Sequence, residues 1–224
     1  VPANPGADIL WTVPDAAAAL TFPSGTDTLL GRATTDTLTN KSYDVEGTGN
    51  VLTTVTFIEW QSSTCIGGTA TSNFDDSPLL TEPAAACVAG TNITSARLDF
   101  DDATDEGMQI SFVLPTGFTG TVDFDFYWHG TAIVNEVVWA LQTVCVADGE
   151  TLDPAFNTAQ TVTDTAKGTA NQLNIATIST VTLTGCAAGE RMFLHMFRDA
   201  NNVADDFVGD ARLVSTRLTL RRTQ

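Results

Sequence analysis

The chain reads as all-β, a jelly-roll-type antiparallel β-sandwich with an extended N-terminal arm. Three observations predict this. Apolar residues recur at period two, β-branched and aromatic runs are separated by Gly, Asn and Asp turns, and almost nothing has the amphipathic period of a helix. Short connections make the strands mostly antiparallel, and burying one face of each calls for two packed sheets.

Taken in order, residues 1–24 contain Pro2, Pro5, Pro14 and Pro23 around the run Ala16-Ala17-Ala18-Ala19-Leu20. Pro14 and Pro23 exclude a long helix, which favours an extended arm. Residues 25–42 are rich in Thr and Asp and bury little apolar surface within one chain. Strand character begins at Val51–Trp60. Residues 61–95 are small, polar and broken by Gly67-Gly68, Asp75-Asp76 and Pro78, and read as a long loop. Strands are then expected at Arg97–Phe100, Met108–Leu114, Gly120–His129, Glu136–Val146, Leu173–Leu183, Arg191–Arg198 and Ala211–Leu220. The alternation is cleanest in 120–129. Val122, Phe124, Phe126 and Trp128 share one face, and Thr121, Asp123, Asp125 and Tyr127 the other. Two domains are assigned: the arm, residues 1–43, and the sandwich, residues 44–224.

Charge narrows the function. With 27 acidic against 10 basic residues and a net charge of −17, the chain repels phosphate, so nucleic acid is not an expected partner. No apolar run reaches membrane-helix length, so no membrane partner is expected either. Arg191, Arg198, Arg212, Arg217, Arg221 and Arg222 cluster near the C-terminus and read as outward strand positions that pair with acidic neighbours or another subunit. Four cysteines permit three pairings. Cys65–Cys87 closes the polar loop and Cys145–Cys186 ties two later strands, which implies an oxidising environment; reduced, buried cysteines are the alternative.

Chemistry is sparsely signposted. Asp123 and Asp125 stand side by side on the wet face and read as solvated charges. His129 and His195 read as structural, with Ser111 and Ser215 as unremarkable serines and no nucleophile elbow nearby. No catalytic residue and no required cofactor is assigned, and the chain is not expected to be an enzyme. The densest acidic cluster, Asp99, Asp101, Asp102, Asp105 and Glu106, supplies the hard oxygens that calcium prefers. Asp199, Asn201, Asn202, Asp205 and Asp206 form a weaker second cluster. Trp60, Trp128 and Trp139 are assigned to core packing, which leaves Tyr127 as the aromatic candidate for stacking on a glycan.

The segment Gly25–Ser42 (GTDTLLGRATTDTLTNKS) resembles the linker of bacteriophage tail-fibre and virion-fibre proteins. The C-terminal half, with Tyr127-Trp128, Val137-Val138-Trp139, 148–174 and Ala211–Arg222, is similar to globular domains of phage virion proteins. The resemblance implies a non-enzymatic structural protein, a fibre-like appendage of a virion with an extracellular life. It further implies a homo-oligomer, a trimer, whose partners are other virion proteins and a host-surface glycan. A carbohydrate-binding β-sandwich module is the alternative function.

Overall fold

The structure, a computed structural model, describes residues 53–116, 118–131 and 134–223. The arm and the Thr/Asp linker lie outside the described residues. Within them the chain forms β1 (Thr53–Gln61), β2 (Ser63–Ile66), β3 (Thr69–Ser72), β4 (Asp75–Asp76), β5 (Ala84–Ala89), β6 (Thr94–Phe100), β7 (Glu106–Val113), β8 (Phe118–His129), β9 (Glu136–Val146), β10 (Gln160–Thr165), β11 (Asn174–Val181), β12 (Arg191–Arg198) and β13 (Ala211–Thr223).

One sheet runs β11-β8-β13-β6-β5, with β1 also paired to β13; the other runs β10-β9-β12-β7-β4. The strands from β6 onward are nested antiparallel pairs: β6 with β13, β7 with β12, β8 with β11 and β9 with β10. That order is a jelly roll. The protein is therefore an antiparallel β-sandwich of the expected type.

The core lies between the sheets and follows from the period-two pattern. Val122, Phe124, Phe126 and Trp128 of β8 are buried, and so are Leu98 and Phe100 of β6 and Leu213, Leu218 and Leu220 of β13. From the facing sheet come Met108, Trp139, Leu141, Met192, Leu194 and Met196. Trp139 is the hub, stacked on Phe126 at 5.0 Å and edge-on to Phe100 at 5.1 Å. The Trp128 indole N–H donates to Asp164 of β10 at 2.8 Å, which gives that buried ring its polar partner.

Two stretches depart from expectation. Residues 61–95 are not a structureless loop, for they contain the β2–β3 hairpin, the short β4, and β5, which pairs along β6. Cys65 on β2 is bonded to Cys87 on β5, a cross-link that ties the hairpin to the sheet. Cys145 of β9 is bonded to Cys186 in the turn after β11. Gln160–Thr165, which is not among the expected strands, is an edge strand on β9.

A further correction concerns Arg198. It does not point outward; it is fully buried. Its guanidinium donates to both carboxylate oxygens of Asp205, at 3.0 and 2.7 Å, and to the carbonyls of Phe100, Phe207 and Gly209. Every N–H has an acceptor. Asp205 also accepts the Val138 N–H at 2.9 Å, and neighbouring Asp206 accepts that of Glu136 at 2.7 Å. The loop after β12 is thereby drawn onto β9 and the end of β6. Phe207 from this loop meets Trp128 edge-on at 5.4 Å, over Gly130, where a Cβ would clash with the Phe207 ring. A burial this complete tolerates loss of one partner poorly.

His195 is the second buried polar centre. Its Nε2 lies 2.9 Å from Ser77 Oγ and its Nδ1 2.9 Å from Gln142 Oε1. Gln142 donates its amide N–H to the Asn157 carbonyl at 3.3 Å, so its oxygen faces the imidazole, which donates through Nδ1–H and accepts from Ser77. The ring is neutral, its pKa pushed down by burial to about 4.

Two stability predictions follow from these centres. Arg198→Ala should lose about 3–5 kcal/mol in urea unfolding, because it strands a buried carboxylate. Arg198→Met with Asp205→Leu should lose less than either single change. For His195 the unfolded imidazole, at its ordinary 6.5, binds a proton before the folded one does. Its contribution is therefore intact above that pH and is lost as pH falls towards 4, by up to roughly 3 kcal/mol. Burial acts oppositely on Glu106, Asp164 and Asp210, raising their pKa values. Those acids are common to wild type and His195→Gln, so the difference between the two denaturation curves across that range isolates the imidazole.

Candidate functional site

Because the inner residues of β8 are fixed in the core, the alternate ones must face outward. The outward surface of β11, β8, β13 and β1 carries registered cross-strand rows. In one row Thr177 lies opposite Asp125, Asp125 opposite Arg217, and Arg217 opposite Glu59. The adjacent row is Ile175, Tyr127, Ser215 and Gln61. On the other side Asp123, Thr219 and Phe57 follow.

Arg217 organises this surface. Its Nη2 and Nε lie 2.7 and 2.8 Å from Asp125 Oδ2. The other oxygen of Asp125 accepts the Thr177 hydroxyl at 2.7 Å. The guanidinium carbon sits 5.3 Å from the Phe57 ring centroid and 5.4 Å from that of Tyr127, within cation–π range of both. Asp125, read from sequence as a solvated charge, is thus buried and ion-paired. Asp123 accepts the Thr180 N–H at 2.8 Å, where β11 bulges and Thr180 takes a φ of 54°. Tyr127 is half-exposed, Phe57 is 58% exposed and Ile175 is 47% exposed. Burial raises the phenol pKa of Tyr127, against the lowering pull of Arg217. The arrangement offers two ring faces, a fixed guanidinium and the Glu59 carboxylate to a ligand lying along the strands' width. Sequence singled out Tyr127 and read Arg217 as an outward cation paired with an acidic neighbour, but not Phe57 nor the meeting of the three, because their strands are brought together only by the fold.

The acidic cluster is dispersed rather than convergent. Asp99 pairs with Arg97 at 2.7 Å, and Asp101 accepts the N–H groups of Ala103 and Thr104. Asp102 accepts the Gly209 N–H, Asp105 binds Asn201, and Glu106 accepts the Asp101 N–H at 2.8 Å. Among the described residues, no three His, Cys, Asp or Glu side chains are placed to share a metal ion, and the carboxylates of this cluster bond to nearby N–H groups and to Arg97. The second cluster is likewise engaged, Asp205 by Arg198 and Asp199 by Asn202.

Ser77, His195 and Gln142 form a hydrogen-bonded series that sequence did not anticipate, since Ser77 lies far from His195 along the chain. Neither Ser111 nor Ser215 is part of it. The orienting group is an amide rather than a carboxylate, the imidazole is a weak base at about 4, and Ser77 Oγ already accepts the Leu79 N–H at 3.2 Å. That chemistry suits a buried structural link better than an activated nucleophile. His129 lies at the end of β8, its pKa lowered by burial and by Arg97 and Arg212. Trp60 packs on Phe112 at 5.7 Å against the core, and Trp128 and Trp139 lie within it.

No protein-family model matches the chain, and no curated protein is similar to it in sequence. Among solved structures it is similar to the exo-β-1,3-galactanase of Phanerochaete chrysosporium, crystallised with galactose, at 10% identity and a TM-score of 0.41; the likeness covers 73% of this chain and 29% of that one. It is also similar to TmCBM61 in complex with β-1,4-galactotriose, at 15% identity and a TM-score of 0.35, over 62% of this chain and 83% of the other. A third likeness is to infectious bursal disease virus, Gx strain, at 12% identity and a TM-score of 0.29, over 82% and 54%. The chain spans under a third of the galactanase. These likenesses concern the β-sandwich and leave the function to be argued from the face itself.

Proposed function

We propose that the protein is a carbohydrate-binding β-sandwich module that holds a glycan across the outer face of β11, β8, β13 and β1 without breaking it. The observation that carries this reading is the polar row Thr177–Asp125–Arg217–Glu59 flanked by Tyr127 and Phe57. A pyranose has an apolar C–H face and a rim of hydroxyls. Rings offer the first an apolar surface, and a guanidinium and carboxylate offer the second charge-assisted hydrogen bonds of about 1.5–3 kcal/mol each. Four strands at about 4.8 Å spacing make a path of roughly 14 Å, the scale of a short oligosaccharide. Binding without turnover is supported by the carboxylates of this face, since the oxygens of Asp125 are occupied by Arg217 and Thr177 and Asp123 accepts the Thr180 N–H.

The module's setting is a separate proposal: the exposed head of a fibre-like virion appendage, probing a host-surface glycan, with residues 1–43 as a trimerising arm. The Gly25–Ser42 resemblance supports it, and so do the two disulfides, which suit an extracellular particle. Jelly rolls serve both capsids and lectins.

Isothermal titration with galactose and β-1,4-galactotriose, extended to gluco- and manno-oligosaccharides, tests the binding reading. Saturable binding is expected, weakened at least tenfold by Tyr127→Ala and by Arg217→Ala, with the oligosaccharide recovered intact. Equal binding by wild type and both variants would sink the assignment to this face. Light scattering tests the setting. The full chain should be a trimer and residues 44–224 a monomer; a monomeric full chain would remove the fibre reading.

A further inference from the structure

The second row of the outer face does not stop at β1. Ile175, Tyr127 and Ser215 lead to Gln61, and Gln61 lines a cleft of about 680 Å³. The cleft opens where β13 changes partner. At Ser215 it still pairs with β1, and by Leu213 it pairs with β6, with a register break between the two residues and Val214 on the cleft wall. The β2–β3 hairpin forms one side, the β5–β6 pair the other, and the Cys65–Cys87 disulfide ties them.

Its lining is neutral and rich in hydroxyls: Ser63, Thr64, Thr94 and Ser95 beside Gln61. Ser63 is 1% exposed, and its hydroxyl has no hydrogen-bond partner among the described residues. A buried hydroxyl left unpaired costs about 1–3 kcal/mol, and a polar occupant of the cleft reached by a small rotamer change would recover it. Among the described residues, no ionisable side chain lines this cleft. It is therefore built for an uncharged, hydroxylated group rather than for an anion or a cation.

We propose that this cleft is an end subsite for the glycan, accepting a terminal or branching neutral sugar of a chain that lies across Tyr127 and Arg217. The inference rests on the carbohydrate reading and adds to it a direction and a length preference. Oligosaccharides long enough to reach past Gln61 bind more tightly than short ones, and the gain comes from the cleft. The disulfide fixes the spacing of the two walls, so the subsite is preformed rather than assembled on binding.

The test is an amide-resolved NMR titration of the full chain with a mono- to hexasaccharide series of β-linked gluco-, manno- and galacto-oligosaccharides, for wild type and for Ala89→Trp. Ala89 is exposed at the cleft, so the indole blocks the cavity without entering the core. For wild type, short sugars should shift Tyr127 and Arg217 alone, and longer ones should also shift Thr94 and Ser95, with at least a fivefold gain in affinity. Ala89→Trp should abolish that gain and leave short-sugar binding unchanged. Shifts confined to Tyr127 and Arg217 at every length, or a length gain that survives Ala89→Trp, would overturn the subsite and leave the outer-face reading standing. Shifts at neither place would overturn both.

Discussion

The buried Arg198–Asp205 pair is the constraint on which the sandwich depends. Two charges removed from water are tolerated only because each remaining donor and acceptor is satisfied, and the groups that satisfy them come from β6, β9 and the loop after β12. The pair therefore specifies geometry more than it adds stability. It closes one end of the sandwich and delivers Phe207 to Trp128, which with Trp139 anchors β8. With β8 held in that register, Asp125 and Tyr127 have no choice but the outer face. A slip by one residue would turn both towards the apolar core and expose Phe124, Phe126 and Trp128.

On the proposed reading, the outer face would let an acidic protein recognise a neutral ligand. At −17 the surface as a whole keeps polyanions away and resists non-specific adsorption. Arg217 is held by Asp125 and lies beside two rings, so its position is set before any ligand arrives. Such preorganisation limits the entropy lost on binding and favours specificity over bulk attraction. The two disulfides act on the same principle at larger scale, each restraining the stretch of chain between its cysteines.

Much of this was legible in the sequence, and the limits have physical causes. The fold class followed from β8, whose Val122, Phe124, Phe126 and Trp128 leave no other period available. The strands β2, β3, β5 and β10 were not legible because they are short and carry few large apolar residues, which leaves no clear alternation to read; pairing with each other or with β6 and β9 makes them strands. Arg198 was misread because an arginine in a charged, late strand looks like any outward cation, and only the fold brings Asp205 and three carbonyls around it. The acidic cluster shows the converse. Proximity of Asp99, Asp101, Asp102, Asp105 and Glu106 along the chain is not convergence in space, and each carboxylate finds a nearer N–H or guanidinium. Tyr127 was legible as the outward aromatic of β8, whereas Phe57 and Arg217 needed the β1–β13–β8 register to join it.

The most direct test of the account is a crystal structure of the protein with a bound oligosaccharide. The account predicts a sugar ring over Tyr127, its hydroxyls on Arg217 and Glu59, and the chain running towards Gln61. A sugar seated on the β10-β9-β12-β7 sheet or at a loop end, with the Tyr127–Arg217–Phe57 surface bare, would contradict it.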